Sequence, residues 1–216
     1  MKCIDGSFWT LDANKGELTR FEFVSDRDSL LRAEAISFDK DSILRALDFV
    51  AFNDTTFLIP DYSGDSRFCW VNRQGKFLKK SGVIPSLNEE ALKEARPALA
   101  QAWRSFIDYN PHNGVLVAAT QLGEVLEIYN LQNGFHRVCL GPKGEPEFKL
   151  AGGYAIPDGI MGFSDVQVTN EAIYAVFHGH TFKEIMAQHQ KEGRATDGGQ
   201  YIYVFNLQGN LYVNIP

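Results

Sequence analysis

The chain is poor in cysteine, in proline and in long apolar runs: its 216 residues include 3 Cys and 8 Pro. Cys3, Cys69 and Cys139 stand 66 and 70 residues apart. That spacing excludes both a Cys-x-x-Cys zinc site and the dense disulfide framework of a small secreted scaffold, and leaves the three thiols as small hydrophobes. The longest largely apolar stretches, 47–52 and 115–119, are strand-sized, far short of the roughly 20 residues of a membrane helix. An excess of positive charge is also missing, since 21 Lys and Arg face 27 Asp and Glu for a net charge of −6. The chain therefore has no basic field to draw in nucleic acid or an anionic membrane surface. Its opening, Met1-Lys2-Cys3-Ile4-Asp5-Gly6, has no apolar core of a secretion signal. The expectation is a cytoplasmic location if Met1 is the true start, and the cell envelope or periplasm if the natural start lies upstream.

Catalytic signatures are equally scarce. There is no Gly-Lys-Ser or Gly-Lys-Thr phosphate cradle, no Gly-x-Ser-x-Gly elbow, no His-Glu-x-x-His pair and no Cys/His nucleophile constellation. What is present is the composition of an ordinary globular domain, 44% hydrophobic, 12% aromatic and 22% charged, with 19 Gly. This length accommodates one large all-β domain or two small ones.

The glycines organise a repeat. A β-rich run, an Asn or Asp, a short turn closed by Gly and a second β-rich run recur as Phe8–Gly16, Cys69–Gly75, Ile128–Gly134 and Val204–Gly209. Gly supplies the positive φ of a tight hairpin, and the Asx side chain caps the N–H groups that follow it. A second hairpin alternates with the first, around Asn53, Asn113 and Asn170. Two hairpins every 55–60 residues are four antiparallel strands, the signature of a β-propeller blade whose strands run a to d from the centre outward. In this frame residues 3–24 supply strands c and d of a first blade, and 47–80, 105–140 and 164–214 supply three more. The expectation is all-β, about 14 strands, three and a half blades in one incomplete domain over 1–216. Sheet edges left open would be covered by missing blades or by a second copy of the chain.

Between the blades, 39–47 and 88–103 show near-helical apolar spacing, with Leu92, Ala95, Leu99 and Trp103 on one stripe interrupted by Pro97. Thr181-Phe182-Lys183-Glu184 reads as a capping box that opens a helix ending at Gly193.

The segment Gly162-Phe163-Ser164-Asp165 through His178-Gly179, followed by Tyr201-Ile202-Tyr203-Val204-Phe205-Asn206-Leu207-Gln208-Gly209-Asn210, resembles the TolB-like six-bladed propeller family of Bacteroides and related gut bacteria. The Asn110-Pro111 turn and Glu127-Ile128-Tyr129-Asn130 fit the same pattern. The chain departs from it in carrying Asn206 where Asp is usual, in a long insert before Tyr201 and in blades missing at either end. The resemblance implies a fold and transfers no catalytic residue.

Propeller topology sends the b–c and d-to-a connections to one face, the top, and every long connection (25–46, 81–104, 141–163, 179–200) falls in that set. Binding residues concentrate in long loops on a rigid scaffold. His178 and His180 flank Gly179 at the end of a b strand, on the same side of an extended chain, where they suit a metal or an anion. Asp61, Asp65 and Arg67 lie in a second b–c loop, the two carboxylates suiting a hard cation. Asp165 enters an innermost strand, where its carboxylate would face the central channel. No cofactor motif is present. The leading expectation is a non-catalytic binding module whose top-face loops hold a protein, peptide or glycan. The alternative is a metal-dependent, lactonase-like propeller hydrolase with a divalent metal at the channel mouth.

Overall fold

A computed structural model of the chain describes residues 1–25, 28–43, 46–193 and 199–215. The chain divides into two compact units, Met1–Val83 and Ile84–Pro216. Each unit is built around a pair of four-stranded antiparallel sheets in simple up-and-down order. In the first unit these are β1 (Lys2–Ile4), β2 (Ser7–Asp12), β3 (Glu17–Val24) and β4 (Ser29–Ser37), then β5 (Val50–Asn53), β6 (Thr56–Pro60), β7 (Phe68–Asn72) and β8 (Phe77–Ser81). The second unit opens with helices α1 (Glu89–Glu94) and α2 (Arg96–Ala102) and continues with β9 (Ser105–Asn110), β10 (Val115–Thr120), β11 (Val125–Asn130) and β12 (His136–Leu140). A separate hairpin, β13 (Phe148–Ala151) and β14 (Tyr154–Pro157), precedes the last sheet: β15 (Phe163–Val168), β16 (Ala172–Phe177), helix α3 (Phe182–Glu192), β17 (Tyr201–Asn206) and β18 (Leu211–Ile215). The fold is all-β with four propeller-type blades, and its helices hold only 6, 7 and 11 residues.

The expected hairpin chemistry is visible at each glycine turn. Asp12 Oδ1 accepts from the Asn14 and Lys15 N–H groups. Asn72 does the same for Gln74 and Lys76, Asn130 for Gln132 and Asn133, and Asn206 for Gln208 and Asn210. Satisfying these donors locally lets each turn stay tight while the strands pair on either side. Alternation within the strands then builds a core between the sheets of each unit. Trp9, Leu18, Ile36, Phe57, Ile59 and Val71 meet in the first; Val117, Leu126, Ile128, Phe163, Ile173, Ala175 and Phe177 meet in the second.

Several readings of the sequence need correction. The first blade has four strands, because Lys2–Ile4 and Ser29–Ser37 complete it. The count among the described residues is accordingly 18 strands and four blades, against the expected 14 and three and a half. Gly16 turns from the second to the third strand, whereas Gly75, Gly134 and Gly209 turn from the third to the fourth. Any antiparallel turn takes the same Asx and Gly, so local sequence cannot say which pair of strands it joins. No helix occupies the described part of 39–47, and residues 44 and 45 lie outside the described set. In 88–103 the break falls at Ala95, the helix cap, with Pro97 in the first turn of α2 where it lacks only a donor that has no partner anyway. The β13–β14 hairpin was not foreseen. Phe148 and Ala155 from that hairpin pack with Leu99, Trp103, Leu122 and Val125 in a third cluster, alongside α1 and α2.

Within the second unit the connections leave the sheets at one end. The start of β9, the end of β10, the start of β15 and the end of β16 are tied by Gln121 N–H to Arg104, Gly162 N–H to Gln121, and His178 N–H to Gly162. Hence α2, which runs into β9, and α3, which leaves β16, share that end. The foreseen capping box is present: Thr181 accepts from the Glu184 N–H at 3.2 Å, and Glu184 Oε2 accepts from the Thr181 N–H at 2.7 Å. The helix stops at Gly193 with φ +68. Thr181→Ala should cost this helix about 1 kcal/mol, read as faster amide exchange confined to its first turn, and unchanged exchange there would contradict the assignment. No helix among the described residues is long and apolar enough to cross a membrane.

Candidate functional site

His178 and His180 do come together, though not on an extended strand. β16 ends at Phe177 and Gly179 takes φ +81. The two rings meet edge to face with centroids 5.5 Å apart. His178 is buried and its Nδ1 accepts from the His180 N–H at 3.3 Å. Burial, reinforced by the charge of His180, lowers the His178 pKa. The exposed His180 lies 3.8 Å from Glu184 Oε2. The pair thus lies in the turn from β16 into α3.

Asp61, Asp65 and Arg67 lie in the β6–β7 connection of the first unit. Asp61 is 2% exposed. Its carboxylate accepts from the Ser63 N–H at 3.0 Å, the Ser63 and Ser66 hydroxyls at 2.9 and 2.8 Å, and pairs with Lys80 Nζ at 3.1 Å. Burial by itself would raise its pKa; the Ser63, Ser66 and Lys80 bonds outweigh burial and leave it lowered. Asp65 reaches the same Lys80 at 3.2 Å from the solvent side. Arg67 is buried, with its guanidinium 5.7 Å from the Phe68 ring centroid and its N–H bonded to Ser81. This loop is organised by its own charges from within. The nearby Cys69 thiol is pushed up to about 12 by burial first and the Asp61 charge second, so it is an inert core group.

Asp165 is exposed beside the bulge in β15 and accepts from the Val166 N–H at 2.9 Å. Among the described residues, no three His, Cys, Asp or Glu side chains converge as a metal site.

The sequence reading missed a cleft of about 560 Å³ in the second unit, bounded by β11 and β12 on one side and by β15, β17 and β18 on the other. Its walls are Leu126, Leu140, Phe163, Phe205 and Leu211, and its polar groups are Glu124, Tyr203, Arg137 and Cys139. Tyr203 stacks on Phe177 at 5.0 Å and lies edge-on to Phe163 and Phe205 at 6.1 Å. Burial, and then the Glu124 carboxylate beside it, pushes the Tyr203 hydroxyl up to about 12. Glu124 is 6% exposed and its Oε2 accepts from the Lys143 N–H at 3.0 Å. Gly141 leaves room for it, because a Cβ at that position would meet the Glu124 carboxylate. Arg137 is turned to the β17–β18 turn, donating to the Gln208 carbonyl and Asn210 Oδ1 at 2.9 and 3.0 Å. The Cys139 thiol meets the Gly209 carbonyl at 3.3 Å and is raised by burial. The one visible signal was a Glu between Leu122 and Val125-Leu126 at the start of a core strand; its neighbour Tyr203 is 79 positions further on.

The chain is similar in fold to yeast Sqt1 (Saccharomyces cerevisiae), at 11% identity and a TM-score of 0.50 over 96% of this chain and 57% of that one. It also aligns with hydrazine synthase of Kuenenia stuttgartiensis (11% identity, TM-score 0.46, 99% of this chain and 49% of that one). A protein of unknown function from Bacteroides caccae aligns at 9% identity and TM-score 0.49, over 100% of this chain and 69% of that one. The chain thus spans about half the length of the first two. No curated protein matches it. A family model covers what these alignments leave open, matching residues 2–215 across both units and all four blades, and on that match the chain belongs to the TolB-like 6-blade propeller-like family.

Proposed function

We propose that the chain is a non-catalytic binding module that holds a protein or peptide on the connections at the shared end of the second unit's sheets. The observation that carries this reading is where the large apolar side chains are exposed. On α3, Phe182 and Met186 are one turn apart and 58% and 40% exposed; on the hairpin, Tyr154 and Ile156 share a face and are 61% and 49% exposed; Leu87 precedes α1 at 78%. A monomer gains nothing from showing these to water, whereas a partner's apolar surface would cover them. Their supports are tied in place. Glu145 accepts from the Ser86 hydroxyl and the Leu87 N–H at 2.7 and 2.8 Å, and Thr181 bridges to Ile160. A preordered surface loses less entropy on binding.

A glycan remains an outcome of the test. The hydrolase alternative draws no support from His178 and His180, whose geometry is taken up by the chain reversal before α3. The outer face of the last sheet, where Tyr174, Ile202, Val213 and Ile215 are exposed in register, belongs to the same proposal as a surface for further blades or a second copy. Light scattering of the chain in solution reads the second copy directly as a doubled mass.

The test is selection of a displayed 12-residue peptide library on the immobilised chain, in parallel with a glycan array. Affinities of the selected peptides are then measured against a Phe182→Ser, Met186→Ser double variant. These side chains are largely solvent-exposed, so the variant should keep its fold. The expected result is peptides of micromolar affinity that weaken at least tenfold on the variant. Peptides indifferent to it, or binding confined to glycans, would overturn the reading.

A further inference from the structure

We propose that the cleft between the β9–β12 and β15–β18 sheets binds an ammonium or guanidinium group on an aliphatic stem, the side chain of a lysine or arginine in a peptide. The inference rests on the proposed function only for the source of that group. Its physical basis is an enclosed carboxylate without a cationic partner. Glu124 is almost fully enclosed, yet among the described residues no Lys, Arg or His side chain pairs with its carboxylate. It accepts from the Lys143 N–H and from the Tyr203 hydroxyl, and neither donor is a cation. A carboxylate enclosed among neutral donors gains from a cation seated against it. The cation lining the same cleft, Arg137, is committed elsewhere, to Gln208 and Asn210.

The surroundings select the rest of the ligand. Leu126, Leu140 and Leu211 offer apolar contact along the cleft, and Phe163, Tyr203 and Phe205 present aromatic rings to it. An aliphatic stem buries its methylenes against the leucines while a cation gains from both carboxylate and ring faces. The volume of about 560 Å³ exceeds one such side chain, leaving room for the residues that flank it in a peptide. A free carboxylate or phosphate would meet the Glu124 charge and is disfavoured on the same grounds.

The experiment uses the full chain with n-hexylammonium as the probe, 1-hexanol as its neutral counterpart and hexanoate as its anionic one, followed by amide-resonance shifts in NMR. The expected result is saturable shifts at residues lining the cleft with hexylammonium, at least tenfold weaker with hexanol and absent with hexanoate. Glu124→Gln retains an oxygen for the Lys143 N–H and should weaken hexylammonium at least tenfold. Leu140→Lys, at a half-exposed position on the cleft wall, places a built-in cation there and should weaken it as much without touching Glu124. Equal binding of hexanol, indifference to both variants, or no cleft shifts with hexylammonium would overturn the proposal. Hexylammonium binding that depends on Glu124, alongside peptides that ignore Phe182 and Met186, would leave this site standing and remove the surface reading; the reverse pattern would remove this site alone.

Discussion

Gly75→Ala is expected to destabilise the first unit by about 3 kcal/mol or more, read as a shift of its denaturant midpoint. Two effects add at this one position. Gly75 closes the β7–β8 turn at φ +77, a conformation that costs an L-residue roughly 1 kcal/mol. A Cβ there would also land on the carbonyl of Ser37, with Ile36 behind it. The obstacle is backbone at the end of β4, and that backbone is itself tied, since Asp39 donates its N–H to the Gly75 carbonyl at 3.2 Å. Relief therefore means moving a sheet rather than rotating a side chain. Gly16→Ala is the control: its φ is +63 but nothing stands within 4 Å of the added carbon, so it should cost only about 1 kcal/mol. Equal losses for the two variants would refute the close-approach argument.

The second large effect is at Asp61. Asp61→Ala removes the acceptor shared by Ser63, Ser66 and Lys80 inside the β6–β7 loop. Deleting one member of a buried hydrogen-bonded ion pair costs about 3 kcal/mol, because the donors left behind lose both partner and water. Lys80 keeps Asp65 and Ser63 as partners, which holds the loss toward the low end. The pH dependence follows from the direction of the shift. The folded-state pKa of Asp61 lies below the ordinary aspartate range. Its contribution is therefore complete above the unfolded pKa and is lost as pH falls through the folded one. Urea midpoints of wild type and Asp61→Ala should differ most near neutrality, and the difference should shrink as pH falls below the ordinary aspartate range. A constant difference across that range would show that the Asp61 charge is not what holds the loop.

Asp61 also shows where reading the sequence stops. By residue type, the Asp61 and Asp65 carboxylates of one polar loop suit a hard cation. In the structure Lys80, on the next strand but one in the chain, pairs with both carboxylates. Charge complementarity at a separation of 19 residues has no local signature. The histidines illustrate the same limit: i and i+2 spacing predicted a shared face, but Gly179 at positive φ turns the chain between them. Glu124 and Tyr203 went unnoticed because their meeting needs two blades packed side by side.

What the sequence determined alone are the properties governed by interactions within a few residues. The Asx-Gly turns, the strand alternation, the capping box at Thr181 and the four-strand period were legible because each rests on hydrogen bonds or side-chain alternation spanning at most one hairpin. The composition likewise sets the acidic charge and the lack of a membrane-length helix. Tertiary structure alone decided which hairpin belongs to which blade position, since one turn chemistry serves every antiparallel pair. It also decided that Lys2–Ile4 and Ser29–Ser37 complete the first blade, where weak apolar patterning left strands that only their neighbours stabilise. The cleft beside Glu124 is the furthest from the sequence, because a cavity is the space left between packed sheets and no residue encodes it by itself.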